Sequence, residues 1–166
     1  KIIKKMKGEI MSVLKNRRNK SPAEYVNTAN EIVAETINFV EKLSVRYQRI
    51  LGESTMNLAF EMADNCEEAN NIRATDSITY SARKTHLLNA RASLSALDTH
   101  LTRIWVALMK NPQGAFTNSK GDYIKPEKAI EKLEKMADSL GVKIDKEKNL
   151  ITAVITSDRK RFKSED

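Results

Sequence analysis

The chain has few of the residues that interrupt helices or build β-sheets. Among its 166 residues there are five Gly and three Pro, and aromatic residues make up 5%. Sandwiches and barrels depend on frequent turns and on aromatic and β-branched side chains, so this composition argues against them. Apolar residues make up 40% of the chain, which is enough for one sizeable core. The composition therefore predicts a single helical domain.

Several function classes also lack their characteristic residues. No apolar run approaches the roughly 18 residues of a membrane span, and no signal peptide is visible, so we expect a cytoplasmic protein with no membrane partner. The only cysteine, Cys66, lies on an apolar stripe, which favours a core residue over a nucleophile. His86 and His100 lie about 21 Å apart along one predicted helix and cannot share a metal. We therefore expect no catalytic residues, no metal and no cofactor.

The net charge of +7 is concentrated at one end of the chain. Residues 1–20 contain eight bases and one acid, whereas the remainder contains 21 bases and 21 acids. This pattern predicts a basic, flexible arm over 1–20 and a folded domain over 21–163, and residues 21–166 together are neutral. Basic arms bind nucleic acid by neutralising phosphates, and a solvated tail without a binding role is the alternative. The candidate phosphate contacts in the arm are Lys15, Arg17, Arg18 and Lys20.

Apolar periodicity predicts an antiparallel up-down four-helix bundle. A capping box over 21–24 predicts the start of the first helix, and Gly52 its end. Asp76 or Ser77 is predicted to cap the third helix, which ends before Pro112. The loop over 111–125 is predicted to contain a short hairpin. The predicted helices are 21–52, 53–74, 77–110 and 126–163, the last segmented at Gly141.

The third predicted helix has an apolar stripe wider than a bundle core requires. Trp105, Val106 and Leu108 extend the stripe and are therefore predicted to form a homo-oligomer interface.

Two bases on the same helix lie just outside this stripe. Lys84 and Arg91, one heptad apart, are predicted to form an outward basic ridge that binds nucleic acid. The alternative is that they pair with Glu61, Glu68 or other acids of the second helix, at the edge of the bundle.

Two segments resemble a known family of small helical bundles. The run Met11-Ser-Val-Leu-Lys-Asn-Arg-Arg-Asn-Lys-Ser-Pro-Ala-Glu24 resembles the opening MSV-x-K-x-x-R-x-x-S-x-x-E of the accessory variability determinant (Avd) proteins of diversity-generating retroelements. These proteins are related to the bundles encoded in ribosomal-RNA intervening sequences. The run from His86 to Asp98 is similar to the long third helix of that family. Met11 also reads as a natural start, in which case residues 1–10 are leader or added sequence; whether they are native stays open.

The resemblance covers about residues 11–160. It implies a non-catalytic four-helix bundle that forms a ring-like homo-oligomer, often a pentamer, and works with a reverse transcriptase and its template RNA. Family members that bind nucleic acid are expected to have a strongly basic body, whereas this body is neutral. Any affinity for RNA or DNA must therefore come from the arm or from the bases of the third helix. A structural or protein-binding bundle without a nucleic-acid role is the rival interpretation.

Overall fold

The computed structural model describes residues 23–163, and this part of the chain forms an all-α bundle without β-strands. Helices α1 and α3 each lie beside both α2 and α4. The predicted all-α class is therefore confirmed, whereas the up-down order of the four helices stays a prediction. The four helices are α1 (Glu24–Val40), α2 (Glu53–Asn71), α3 (Ser77–Lys110) and α4 (Pro126–Lys163).

Helix α3 begins and ends where the sequence predicts. The Asp76 carboxylate accepts a hydrogen bond from the Thr79 backbone N–H at 2.8 Å, and the Thr79 hydroxyl accepts one from the Asp76 N–H at 3.1 Å. This reciprocal cap satisfies two backbone donors that the helix leaves free. The last helical residue is Lys110, two residues before Pro112. Between these ends the apolar stripe forms the centre of the core, with Leu87, Ala90, Leu94, Leu97, Leu101, Ile104 and Leu108 all buried.

The predicted extent of the first helix is wrong at its C-terminal end. Helix α1 stops at Val40, and a new helical run starts at Val45, passing through a π-helical turn (Gln48–Gly52) into α2. The chain leaves the helix because the Ser44 N–H donates to the Ala115 carbonyl at 2.9 Å and Leu43 pairs with Phe116. These tertiary hydrogen bonds replace those of a continuing helix. The helical spacing of apolar residues nevertheless continues past Val40, so the spacing alone does not reveal the break.

Gly52 therefore lies inside a helical run instead of ending one. Its φ of −62° is helical, and it is buried. A Cβ at this position would lie 3.3 Å from Cγ1 of Val40, so the glycine permits close approach between the end of α1 and the start of the second helical run.

The predicted N-terminal capping box is only partly described. Helix α1 begins at Glu24, because the backbone of Ala23 is extended. Ser21 and Pro22 lie outside the described residues, as does the whole arm, so the domain boundary at residue 20 stays a prediction.

The predicted segmentation of the last helix is also wrong. Helix α4 runs without a break through Gly141, and only Gly114 and Gly121 among the described glycines have positive φ. A glycine in a helix interior costs about 1 kcal/mol relative to alanine. Leu140 and Ile144 are both buried on either side of it, and burying each side chain is worth about 1.5–3 kcal/mol. Core packing by Leu140 and Ile144 therefore outweighs the local tendency of Gly141 to end the helix.

The predicted hairpin in the loop over 111–125 is present in short form. Thr117 and Tyr123 form an antiparallel bridge, and the Ile124 N–H donates to the Phe116 carbonyl at 3.2 Å. The buried Phe116 ring packs edge-to-face on Phe39 of α1. The loop is thereby fixed against the bundle, close to where α1 ends.

Candidate nucleic-acid and subunit interfaces

The bases Lys84 and Arg91 are both exposed on α3. They lie seven residues apart with Leu88 between them, a spacing that places all three on one helix face. Leu88 is itself 44% exposed. Within residues 23–163, neither base forms an ion pair. We refer to Lys84, Leu88 and Arg91 together as the α3 ridge.

The predicted alternative, pairing of the ridge bases with acids of α2, is not formed. The Glu68 carboxylate instead lies 2.8 Å from Nδ1 of His86, which is two residues after Lys84 on α3. Asn65 of α2 also contacts this nitrogen, at 3.1 Å. His86, and neither Lys84 nor Arg91, is therefore the α3 residue that contacts Glu68 of α2.

Not every base of α3 belongs to a basic surface. The Arg83 guanidinium is directed into the bundle, where Nε donates to the Asp158 carboxylate at 2.6 Å. Its Nη1 also donates to the carbonyls of Ala69 and Ile72, at 2.5 and 3.2 Å. Arg83 thus ties the C-terminal end of α2 to α3 and α4, and its charge is neutralised by Asp158.

The predicted interface residues Trp105 and Val106 are accessible at the α3 surface. Trp105 is half-buried and lines a groove of about 280 Å³ between α3 and α4, together with Leu140 and Ile144. The indole Nε1 is buried without a hydrogen-bond acceptor in the described part of the chain. Val106 is 41% exposed. The apolar groove therefore suits a partner that supplies apolar side chains.

The third predicted interface residue, Leu108, is wrongly assigned. Its side chain is fully buried in the core of its own bundle. It continues the seven-residue spacing of Leu87, Leu94 and Leu101, so it belongs to the core stripe and has no surface left for a partner subunit.

The four predicted arm contacts, Lys15, Arg17, Arg18 and Lys20, lie outside the described residues. Their contact with phosphates stays a prediction.

A buried carboxyl in α4 is not among the site residues that the sequence predicts. Glu147 is fully buried, and its Oε1 accepts a weak hydrogen bond from the Cys66 thiol at 3.6 Å, whereas its Oε2 has no partner in residues 23–163. Burial raises the pKa of Glu147 to about 8, against a smaller lowering by the thiol. Its position in the sequence indicates its burial, since Glu147 lies on the apolar stripe of α4 between Ile144 and Ile151.

The environment of Cys66 confirms the prediction of a core residue. The thiol is buried, and its pKa is raised by burial first and by the neighbouring Glu147 second. Nucleophilic cysteines have lowered pKa values, because the thiolate is the reactive form. Cys66 is therefore a packing residue that donates to Glu147.

Residues 23–163 contain no group of three or more His, Cys, Asp and Glu side chains that could hold a metal. None of the helices in this range is both long and apolar enough to cross a bilayer. Comparison of the chain with protein-family models, with curated proteins and with solved structures finds no match.

Proposed function

We propose that this protein is a non-catalytic accessory protein that binds nucleic acid and works with a reverse transcriptase in a diversity-generating retroelement. The observation that carries the nucleic-acid part is the α3 ridge, whose two bases are exposed and lack carboxylate partners in the described chain. Unpaired bases are free to replace the counterions around phosphates, which gives affinity that depends on salt. The arm bases Lys15, Arg17, Arg18 and Lys20 add to this affinity.

The reverse transcriptase and the template RNA enter through the resemblance to the Avd family. A partner of this kind acts in the cytoplasm, where a lone buried thiol stays reduced. The resemblance also predicts genomic context. A reverse transcriptase gene and a repeated variable region beside the coding sequence would support this part of the proposal, and their absence would contradict it.

Replacing Lys84 and Arg91 together with Glu is expected to weaken RNA binding and leave the melting temperature unchanged. The loss of two phosphate contacts should reduce the slope of log affinity against log salt by about 1.4–1.8. Stability should hold because neither side chain has an ion pair to lose. Fluorescence anisotropy with a labelled RNA at several salt concentrations measures the slope.

A matched control is the double change of Lys120 and Lys125 to Glu in the loop over 111–125. It alters the net charge by the same amount, and both residues are exposed. An equal loss of affinity in both variants would mean that only the overall charge matters. A lower melting temperature with unchanged RNA binding in the ridge variant would favour a structural role for the ridge.

We further propose that the protein is a homo-oligomer whose subunits meet at the groove beside Trp105. The groove is apolar, and the exposed Val106 lies one turn beyond Thr102, one of its lining residues. A ring of five subunits is what the resemblance implies.

Replacing Val106 with Glu is expected to shift the protein from an oligomer to an 18.8 kDa monomer in native mass spectrometry. A charge placed in an apolar interface is left unpaired and desolvated. Ile78→Glu is the control, because Ile78 is 79% exposed at the start of α3 and away from the groove. A monomer for the unsubstituted protein at micromolar concentration would contradict the proposal.

A further inference from the structure

A second concave surface lies where the end of α1 and the loop over 111–125 meet the first half of α4. It encloses about 300 Å³. Its apolar wall includes Phe39, Met136 and Leu140, and its rim includes Lys42 and Lys132. We refer to this surface as the α1–α4 pocket.

The loop over 111–125 contacts both rim lysines, Lys42 through its backbone and Lys132 through its side chain. The Lys42 carbonyl accepts a hydrogen bond from the Thr117 N–H at 3.3 Å, so the backbone of Lys42 is held by the loop. The ammonium group of Lys132 lies 5.6 Å from the centre of the Phe116 ring, within the range of a cation–π contact. Lys42 and Lys132 both line the same pocket.

The other charged groups of the pocket are already paired. Lys135 donates to the Glu131 carboxylate at 2.7 Å. The Glu35 carboxylate accepts hydrogen bonds from Lys143 and from the Ser139 hydroxyl. Lys42 and Lys132 have no carboxylate partner within residues 23–163. Two uncompensated positive charges thus face a pocket whose inner wall is apolar.

We propose that the α1–α4 pocket binds a phosphate monoester carried on a flat apolar group, that is, a nucleotide or the phosphorylated end of a nucleic-acid strand. A phosphate monoester carries a charge of about −1.5 to −2 at neutral pH, which matches the two ammonium groups that have no carboxylate partner in residues 23–163, whereas a carboxylate matches only one. The exposed amide of Asn38, another lining residue, can donate to the phosphate as well. The apolar wall receives the base.

The pocket is a different surface from the α3 ridge. Lys84 of the ridge follows Arg83, which pairs with Asp158 of α4, whereas the α4 residues of the pocket lie at 132–140. Asp158 therefore lies about 20 residues further along α4 than the pocket residues, which corresponds to roughly 30 Å along the helix axis. The pocket proposal therefore stands whether or not the ridge binds nucleic acid.

Titration calorimetry of the full chain with adenosine 5′-monophosphate at pH 7.5 tests the proposal. We expect binding of the monophosphate, no binding of adenosine, and weaker binding of inorganic phosphate because it has no apolar part. Lys132→Gln is expected to weaken monophosphate binding about tenfold, by loss of one charge-assisted hydrogen bond. Lys128→Gln is the matched control, because Lys128 is exposed one turn earlier on α4 and does not line the pocket.

An RNA hexamer with and without a 5′-phosphate separates the two sources of the ligand. Tighter binding of the phosphorylated hexamer that is lost in Lys132→Gln identifies a strand end, and binding of the free nucleotide alone identifies a nucleotide site. No binding of adenosine monophosphate at millimolar concentration would overturn the proposal. Equal effects of Lys128→Gln and Lys132→Gln, or equal binding of inorganic phosphate and the monophosphate, would also overturn it.

Discussion

At pH 8.5 the Glu147→Gln variant is expected to be more stable than the unsubstituted protein by up to about 5 kcal/mol, and at pH 5 the difference is expected to be small. Glu147 is fully buried, and one of its carboxyl oxygens has no partner in the described residues. The amide of glutamine has the same shape but never ionises. Urea unfolding of both proteins between pH 5 and pH 8.5 measures the difference.

The sign follows from where the proton is held. Burial raises the pKa of Glu147 from its ordinary value of 4.5 to about 8. Between these values the folded chain keeps a proton that the unfolded chain has released, so a rise in pH favours unfolding. The contribution of this retained proton to the free energy of unfolding is fully present below pH 4.5, falls between pH 4.5 and pH 8, and is lost above pH 8. In Glu147→Gln this contribution to the pH dependence should disappear.

Glu134→Gln provides the control, because Glu134 is exposed on the same helix. Its unfolding free energy should follow that of the unsubstituted protein at every pH. If Glu147→Gln shows the same dependence on pH as this control, the carboxyl of Glu147 is ionised in the folded protein and the account of its burial is wrong.

Replacing Arg83 with Met is expected to lower the free energy of unfolding by about 3–5 kcal/mol. The substitution removes the hydrogen bonds of Arg83 to Asp158 and to the carbonyls of Ala69 and Ile72. It also leaves the buried carboxylate of Asp158 without a counter-charge, and an uncompensated buried charge is the larger part of the cost. Thermal or urea unfolding at neutral pH measures the loss.

Two further variants test this explanation. Arg103→Met, at an exposed position on the same helix, should change stability by less than about 0.5 kcal/mol. Adding Asp158→Asn to the Arg83→Met variant should restore part of the lost stability, because it removes the unpaired charge. A loss below about 1 kcal/mol for Arg83→Met alone would show that the pair contributes little to the fold.

The sequence predicts α3 well because its signals are local. The cap at Asp76, the seven-residue spacing of leucines and the stop before Pro112 each depend on neighbouring residues, and each is present in the structure. The wrong helix boundaries have a different origin. The break after Val40 depends on hydrogen bonds with the loop about 70 residues later, which no local pattern reveals.

The candidate surfaces could be predicted only in part. Helical spacing identifies Lys84 and Arg91 as neighbours on one helix face. Whether they pair with α2 depends on which α2 side chains reach them, and in the structure Glu68 contacts His86 instead. The same spacing places Trp105, Val106 and Leu108 near one another without showing which of them the core covers. No local pattern predicts the α1–α4 pocket, because it is formed by three segments that are distant in the sequence.

The central claim, that the protein binds nucleic acid through its bases, is tested most directly by the salt dependence of RNA affinity for the full chain and for a chain that begins at Ser21. With about six phosphate contacts, four from the arm and two from the α3 ridge, the full chain should show a slope of log affinity against log salt of about −4 to −5. The shortened chain should lose up to about 3 of that slope and less than about 0.5 kcal/mol of stability. RNA binding that does not change with salt, or no binding by the full chain at 50 mM salt, a concentration at which phosphate contacts are strong, would contradict the claim.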